Sequence, residues 1–252
     1  NWFSRRHGWR IDRSWIEYTS GVVPALSATI KALTQPGDKV LVQTPVYNCS
    51  FSSIRNNGCE IVESPLLHSA NTYVINFVDL EQKLADPAVK LFILCNPHNP
   101  AGRVWTPDEL RHINDLCLRH NVRVVSDEIH CELTMPGYTY TPFASVSEAC
   151  LNNSVTLNSP SKSFNTAGLQ IANIISNDAA IRRRINRAIN INEVCDVNPF
   201  GVIALQAAYN EGEAWLEALK AYLYANYVAL QSFFAEQLPQ LPVTKLEGTY
   251  LV

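Results

Sequence analysis

Lys90-Leu91-Phe92-Ile93-Leu94, a turn rich in Asn and Pro, Thr106-Pro107-Asp108-Glu109 and then Val122-Arg123-Val124-Val125 are the stretch that decides the fold. A short continuous apolar run bounded by polar turns suits a strand covered on both faces. Thr106 can cap a helix that carries Pro107 in its first turn, and Glu109 completes a capping box. Leu110, Ile113, Leu116 and Cys117 then give that helix one apolar face. The same reading extends outward in both directions. Lys39-Val40-Leu41-Val42, Glu60-Ile61-Val62, Val155-Thr156-Leu157 and Ile171-Ala172-Asn173-Ile174-Ile175 read as further strands. Strands alternating with amphipathic stretches predict an α/β layered domain around a mostly parallel sheet.

After Asn198-Pro199 the β-runs stop, and Glu213 to Gln237 reads as one long helix closed by Leu238-Pro239. A boundary is expected near residue 208. Residues 1–208 then form the large domain, and 209–252 the connecting helix and the start of a smaller C-terminal α+β domain. The chain lacks an initiator Met and ends within the apolar run Thr249-Tyr250-Leu251-Val252, so both ends read as cut.

Composition narrows the function classes. In 252 residues, 47% are hydrophobic and 17% charged, a globular mixture far from that of disordered chains. Twenty Lys and Arg against 23 Asp and Glu give a net charge of −3, which offers no electrostatic footprint for nucleic acid or an anionic membrane. A small-molecule partner is expected. The seven cysteines (Cys49, Cys59, Cys95, Cys117, Cys131, Cys150 and Cys195) form an odd set with no CxxC pair, which fits a reducing, cytoplasmic setting. No apolar run approaches the roughly 18–20 residues of a membrane span.

In open α/β sheets the ligand crevice lies outside the carboxyl ends of the strands, so the residues just after each strand carry the candidates. Asp127 can bind a metal, pair with a cationic ring nitrogen, or cap the next turn. Lys162 is the only Lys or Arg between Arg123 and Arg182. It reads either as a surface lysine in a Ser-rich turn or as an amine that forms a Schiff base with a carbonyl cofactor. Asn99 sits in a Pro-constrained turn that can aim its amide into the crevice. Gly21, Val22 and Val23 precede a helix expected over residues 25–33, where free N–H groups cap the turn or favour a phosphate. A metal site from Asp127, Glu128, His130 and Cys131 is disfavoured, since neighbouring residues point in different directions. Ser159-Pro160-Ser161-Lys162 fits the S-x-x-K pattern of serine acyl enzymes, but the partner motifs of those enzymes are missing.

Three strings taken together, Cys95-Asn96-Pro97-His98-Asn99-Pro100-Ala101-Gly102-Arg103-Val104-Trp105, Ser126-Asp127-Glu128-Ile129-His130 and Ser161-Lys162-Ser163-Phe164-Asn165, resemble the fold-type I enzymes that use pyridoxal 5′-phosphate (PLP). Within the aminotransferase class I/II superfamily they look most like the cystathionine β-lyase, or C–S lyase, branch of the MalY/PatB type. The resemblance implies a three-layer PLP-transferase-like large domain and a homodimer. It also implies α,β-elimination from a small amino-acid substrate of the cystathionine or cysteine type, giving a thiol, pyruvate and ammonia. Lys162 would hold PLP and remove the α-proton, Asp127 would pair with the pyridine nitrogen, and Asn99 would bond the ring's phenolic oxygen. Tyr47 would stack on the ring, and His130 would lie near its oxygen. The phosphate would take the N–H groups of Gly21, Val22 and Val23 and the Ser159 hydroxyl. Two features depart from the aminotransferase pattern. Gln170 stands where an Arg usually clamps the phosphate, and His130 stands where many aminotransferases have Tyr. The Arg that grips the substrate carboxylate in this family falls beyond the chain. An aminotransferase, or a PLP-fold regulatory or binding module without turnover, would share most of these residues.

Overall fold

The computed structural model describes residues 1–191 and 196–252, so Cys195 lies outside the described residues. The chain opens with α1 (Trp2–His7), β1 (Ile16–Thr19), α2 (Val22–Leu33), β2 (Lys39–Val42), α3 (Cys49–Asn56) and β3 (Glu60–Glu63). A hairpin of β4 (Leu67–Ser69) and β5 (Thr72–Val74) leads to α4 (Phe77–Leu84). The segment read first from the sequence becomes β6 (Val89–Cys95), α5 (Pro107–Arg119) and β7 (Arg123–Asp127). The chain continues through α6 (Glu148–Asn152), β8 (Ser154–Asn158), β9 (Ala172–Ile175), α7 (Ala179–Asn190), α8 (Pro199–Glu211) and α9 (Glu213–Gln237).

Seven strands form one sheet in the order β1-β9-β8-β7-β6-β2-β3. From β8 to β3 all neighbours are parallel, while β9 runs antiparallel to both β8 and β1. Alternation along the strands builds two cores. Val40, Val42, Leu91 and Ile93 face α2, α3 and α7, whereas Leu41, Phe92 and Leu94 face Leu80, Leu110 and Ile113 of α4 and α5. Side chains alternate between the faces of a strand, so a run apolar at every position is what a sheet covered on both faces requires.

The expected capping box is present. Thr106 Oγ1 accepts from Glu109 N–H at 3.2 Å, and Glu109 Oε2 accepts from Thr106 N–H at 2.8 Å. Leu110, Ile113, Leu116 and Cys117 are all buried beneath it. The helix expected over 25–33 begins earlier, at Val22, because Pro24 sits in its first turn, where no N–H is needed. β1, β4, β5 and α8 are not among the elements expected from the sequence, and neither are the helices α1, α3, α4, α6 and α7. β1 is too short for its pattern to stand out, and the β4–β5 turn rests on left-handed Ala70 and Asn71 (φ 48° and 63°), the geometry of a tight hairpin. The apolar residues of α8 do not fall into one stripe. Residue 208 lies within α8, and α9 has the limits read from the sequence. Among the described residues no helix is long and apolar enough to cross a membrane.

A candidate active site at the carboxyl ends of the strands

Asp127 is the last residue of β7 and lies in register with Cys95, the last of β6. Both therefore open onto the same crevice, as the parallel arrangement dictates. The turn after β6 brings in Asn99, the turn after β8 brings in Lys162, and the N-terminus of α2 closes the third side. A cavity of about 270 Å³ results. Of the residues picked from sequence, Gly21, Val22, Val23, Tyr47, Asn99, Asp127, His130 and Lys162 all line it.

Each wall has a local cause. Gly21 takes φ 143°, a left-handed conformation strained for any residue with a side chain, and it forms the N-cap of α2. The first bond of α2 runs from Ala25 N–H to Gly21 O at 2.9 Å. The N–H groups of Val22 and Val23 therefore remain unspent at the positive end of the helix dipole, where an anion is favoured. Asp127 accepts from Ile129 N–H at 3.2 Å. Burial raises its pKa to about 6, against the lowering effects of that bond and of the Lys162 charge. His130 is pushed down to about 4, chiefly by burial and then by Lys162, so the imidazole is neutral at pH 7. Its Nε2 lies 3.5 Å from Asn99 Nδ2, and its ring meets Tyr250 edge-on at 5.5 Å. Tyr47 is raised to about 12, first by its hydrogen bond with Cys49 and then by burial. Burial also pushes the Cys95 thiol above its ordinary range.

Ser159 is the exception. Its hydroxyl donates to Ile171 O at 2.6 Å and accepts from Ser161 N–H at 3.1 Å, so it braces the turn from inside and is not part of the cavity lining. Ser161 lines the cavity instead, together with Gln170, whose amide donates to Ala167 O at 2.8 Å. The sequence held both serines, but which of two hydroxyls in a turn faces the crevice depends on the path of the backbone. Among the described residues no group of three His, Cys, Asp or Glu side chains is placed to hold a metal.

In chemical terms the cavity offers an anion site at a helix N-terminus, a buried carboxylate for a cationic partner, an amide beside a neutral imidazole, and an amine. A family model for aminotransferase class I and II matches residues 1–252. Over 251 residues the chain is 44% identical to cystathionine beta-lyase PatB of Bacillus subtilis, covering 100% of this chain and 65% of PatB. Protein MalY of Escherichia coli is 32% identical over 252 residues, covering 100% and 64%. The structure matches cystalysin from Treponema denticola, whose crystal structure contains a pyridoxal 5′-phosphate cofactor, with a TM-score of 0.95 and 37% identity over 99% of this chain and 63% of cystalysin. The chain thus spans about 65% of the length of the curated relatives it matches. With its sheet order, its crevice and every one of its residues falling within that family match, the chain belongs to the aminotransferase class I and II family.

Proposed function

We propose that this chain is the cofactor-binding part of a PLP-dependent carbon–sulfur lyase. The observation that carries the reading is the convergence of Lys162, Asp127, Asn99 and the N-terminus of α2 on one cavity. The residues fit PLP group by group. The unspent N–H groups of Val22 and Val23 suit its phosphate, with the Ser161 hydroxyl in the role expected of Ser159. Asp127 accepts a single hydrogen bond among the described residues, which leaves capacity for a protonated ring nitrogen. Names of relatives supply the reaction: PatB is a cystathionine beta-lyase, and a C–S lyase from Staphylococcus hominis is among the structures this chain resembles.

When bound, PLP supplies an aldehyde for the substrate amine and a ring that accepts electrons from the α-carbon. Lys162 Nζ would hold the cofactor, and its amine would serve as the base for the proton on the substrate α-carbon. The carboxylate of Asp127 would keep the ring nitrogen protonated. Asn99 Nδ2 would donate to the ring oxygen, with neutral His130 beside it, and Tyr47 would cover one face of the ring. In the net reaction the C–S bond breaks, the thiol leaves with a proton, and one water is consumed to give pyruvate and ammonia. Gln170, lining the cavity where an Arg is usual in aminotransferases, supports elimination over amino transfer.

The remaining expectations form part of the same proposal. All residues lining the cavity precede residue 208, which supports a cofactor domain ending there. Phe200 and Ile203 of α8 are 70% and 63% exposed, which supports association into a homodimer. Six cysteines of the described residues are free thiols, which supports a cytoplasmic setting.

The test is an absorption titration with PLP, followed by borohydride reduction and peptide mapping, and then a pyruvate assay with cystathionine. Label on Lys162 and pyruvate release without added 2-oxo acid are the expected results. No uptake of PLP, or turnover only when a 2-oxo acid accepts the amine, would overturn the reading.

A further inference from the structure

We propose that Glu128 is a positioning residue for this site, locking the ends of β6 and β7 together and so fixing Asn99, Asp127 and His130 relative to one another. The inference rests on the cavity being a cofactor site. Asp127 and Glu128 are neighbours at the end of an extended strand, so their side chains diverge. Asp127 lines the cavity, while Glu128 points into the protein and is fully buried.

There its carboxylate gathers donors from three separate segments. Oε1 accepts from Ser126 Oγ at 2.8 Å, from Phe143 N–H at 2.9 Å and from Asn96 Nδ2 at 3.4 Å, and Oε2 accepts from Tyr140 OH. Asn96 adds a second tie, donating from Nδ2 to Thr141 O at 3.0 Å and from its backbone N–H to Asp127 O at 2.9 Å. One carboxylate therefore joins the strand that carries Asp127, the stretch 140–143, and the base of the turn that carries Asn99. On the cavity side of this knot lies the Asn99–His130 pair.

A buried carboxylate is a poor way to gain stability, since well-packed apolar replacements are often as stable or more so. Burial raises its pKa to about 7, and the four donors act the other way. What such a group does supply is direction, because its hydrogen bonds hold only in a narrow geometry. Groups that orient a site without touching its ligand change binding on the order of 10-fold or more when removed.

The experiment compares Glu128→Ala, Glu128→Gln and Asn153→Ala in the whole chain. Asn153 is a buried residue at the opposite end of the sheet, bonded to Asn114 Oδ1 and Val122 O. Three quantities are read: the melting temperature, the Kd for PLP by absorption titration, and the side-chain nitrogen resonances of His130 by NMR in PLP-free protein. Glu128→Ala is expected to raise the PLP Kd on the order of 10-fold and to shift the His130 resonances. Glu128→Gln restores both, because an amide can keep its oxygen towards Ser126 and Phe143 and turn its NH₂ towards the Tyr140 oxygen. Asn153→Ala lowers the melting temperature and moves neither. If Glu128→Ala lowers the melting temperature but leaves Kd and His130 as they are in the parent, the positioning role is overturned. Should Glu128→Ala not fold, Asn96→Ala is read by the same criteria. If the parent protein takes up no PLP, the cofactor reading fails by itself, and the His130 resonances still decide the role of Glu128.

Discussion

At the amino ends of the central strands, Asn153 and Ser154 find partners, although His120 Nε2, just before β7, does not among the described residues. Asn153 bonds Asn114 and Val122, and Ser154 Oγ donates to Cys150 O at 2.7 Å. At the carboxyl ends of the same sheet the pattern reverses. Both amide atoms of Gln43, together with Asn96 Oδ1, His98 Nδ1, His130 Nδ1 and Asn158 Nδ2, are buried without a partner among the described residues. Asp127 is there too, with its pKa raised by burial. Buried polar groups are normally paired, and those left unpaired call for an explanation. The contrast teaches that one end of the sheet is built for stability and the other keeps hydrogen-bonding capacity and charge in reserve, a cost that function-bearing regions commonly carry.

The comparison breaks most sharply at Lys162. Lys162→Ala is expected to abolish borohydride labelling and to lower any elimination rate by about 10²–10⁴-fold or more, while the melting temperature barely moves. A large loss of melting temperature would mean that this end also serves the fold.

The next effect is on stability against pH in the PLP-free protein. A carboxyl whose folded pKa is raised is protonated in both states at low pH, and the unfolded chain sheds its proton first. For Asp127, stability present below about 3.8 is lost as pH rises through about 6, about 3 kcal/mol in all. His130 has the opposite sign: stability present above its unfolded value of 6.5 is lost as pH falls through about 4, also about 3 kcal/mol. Urea unfolding between pH 4 and 7 should therefore change slope in opposite directions in Asp127→Asn and His130→Asn. The same slope in both variants would contradict the burial of one of them.

Two substitutions test the ends against each other. Asn153→Ala should cost about 1–3 kcal/mol of unfolding free energy, because it leaves Asn114 and Val122 unpaired. Gln43→Met should instead stabilise by about 1 kcal/mol, since it removes a buried amide that has no partner. Equal signs would erase the contrast. The smallest effect separates the two serines. Ser161→Ala should weaken PLP binding about fivefold with unchanged stability, in line with the loss of one hydrogen bond. Ser159→Ala should chiefly lower the melting temperature.

Much of this was legible in the sequence. Local signals were strong where one residue type does one physical task, as at Thr106, Pro107 and Glu109 at the start of α5, or in the apolar runs of β2, β6, β7 and β8. Lys162, Asp127 and Asn99 stood out because each ends or follows a strand, and the carboxyl ends of parallel strands meet in space. The elements that escaped lacked such a signal. β1 has four residues and, among the described residues, pairs only with β9, more than 150 residues later in the chain, and α8 spreads its apolar residues around its circumference. Ser159 and Ser161 were indistinguishable on paper, since two hydroxyls in one turn have the same chemistry until the backbone turns one of them towards Ile171.

The sequence by itself determined the strands β2, β3, β6, β7, β8 and β9 and the helices α2, α5 and α9, that the sheet is mostly parallel, and which chemical groups lie near its carboxyl edge. These follow from periodicity, capping and strand order, all of them local or combinatorial. Only the tertiary structure decided that Asp127 and His130 lose their water, that Ser161 and not Ser159 lines the cavity, and that Glu128 ties three segments together. Desolvation and hydrogen-bond direction depend on what surrounds a group in space, and those neighbours come from residues far apart in the chain.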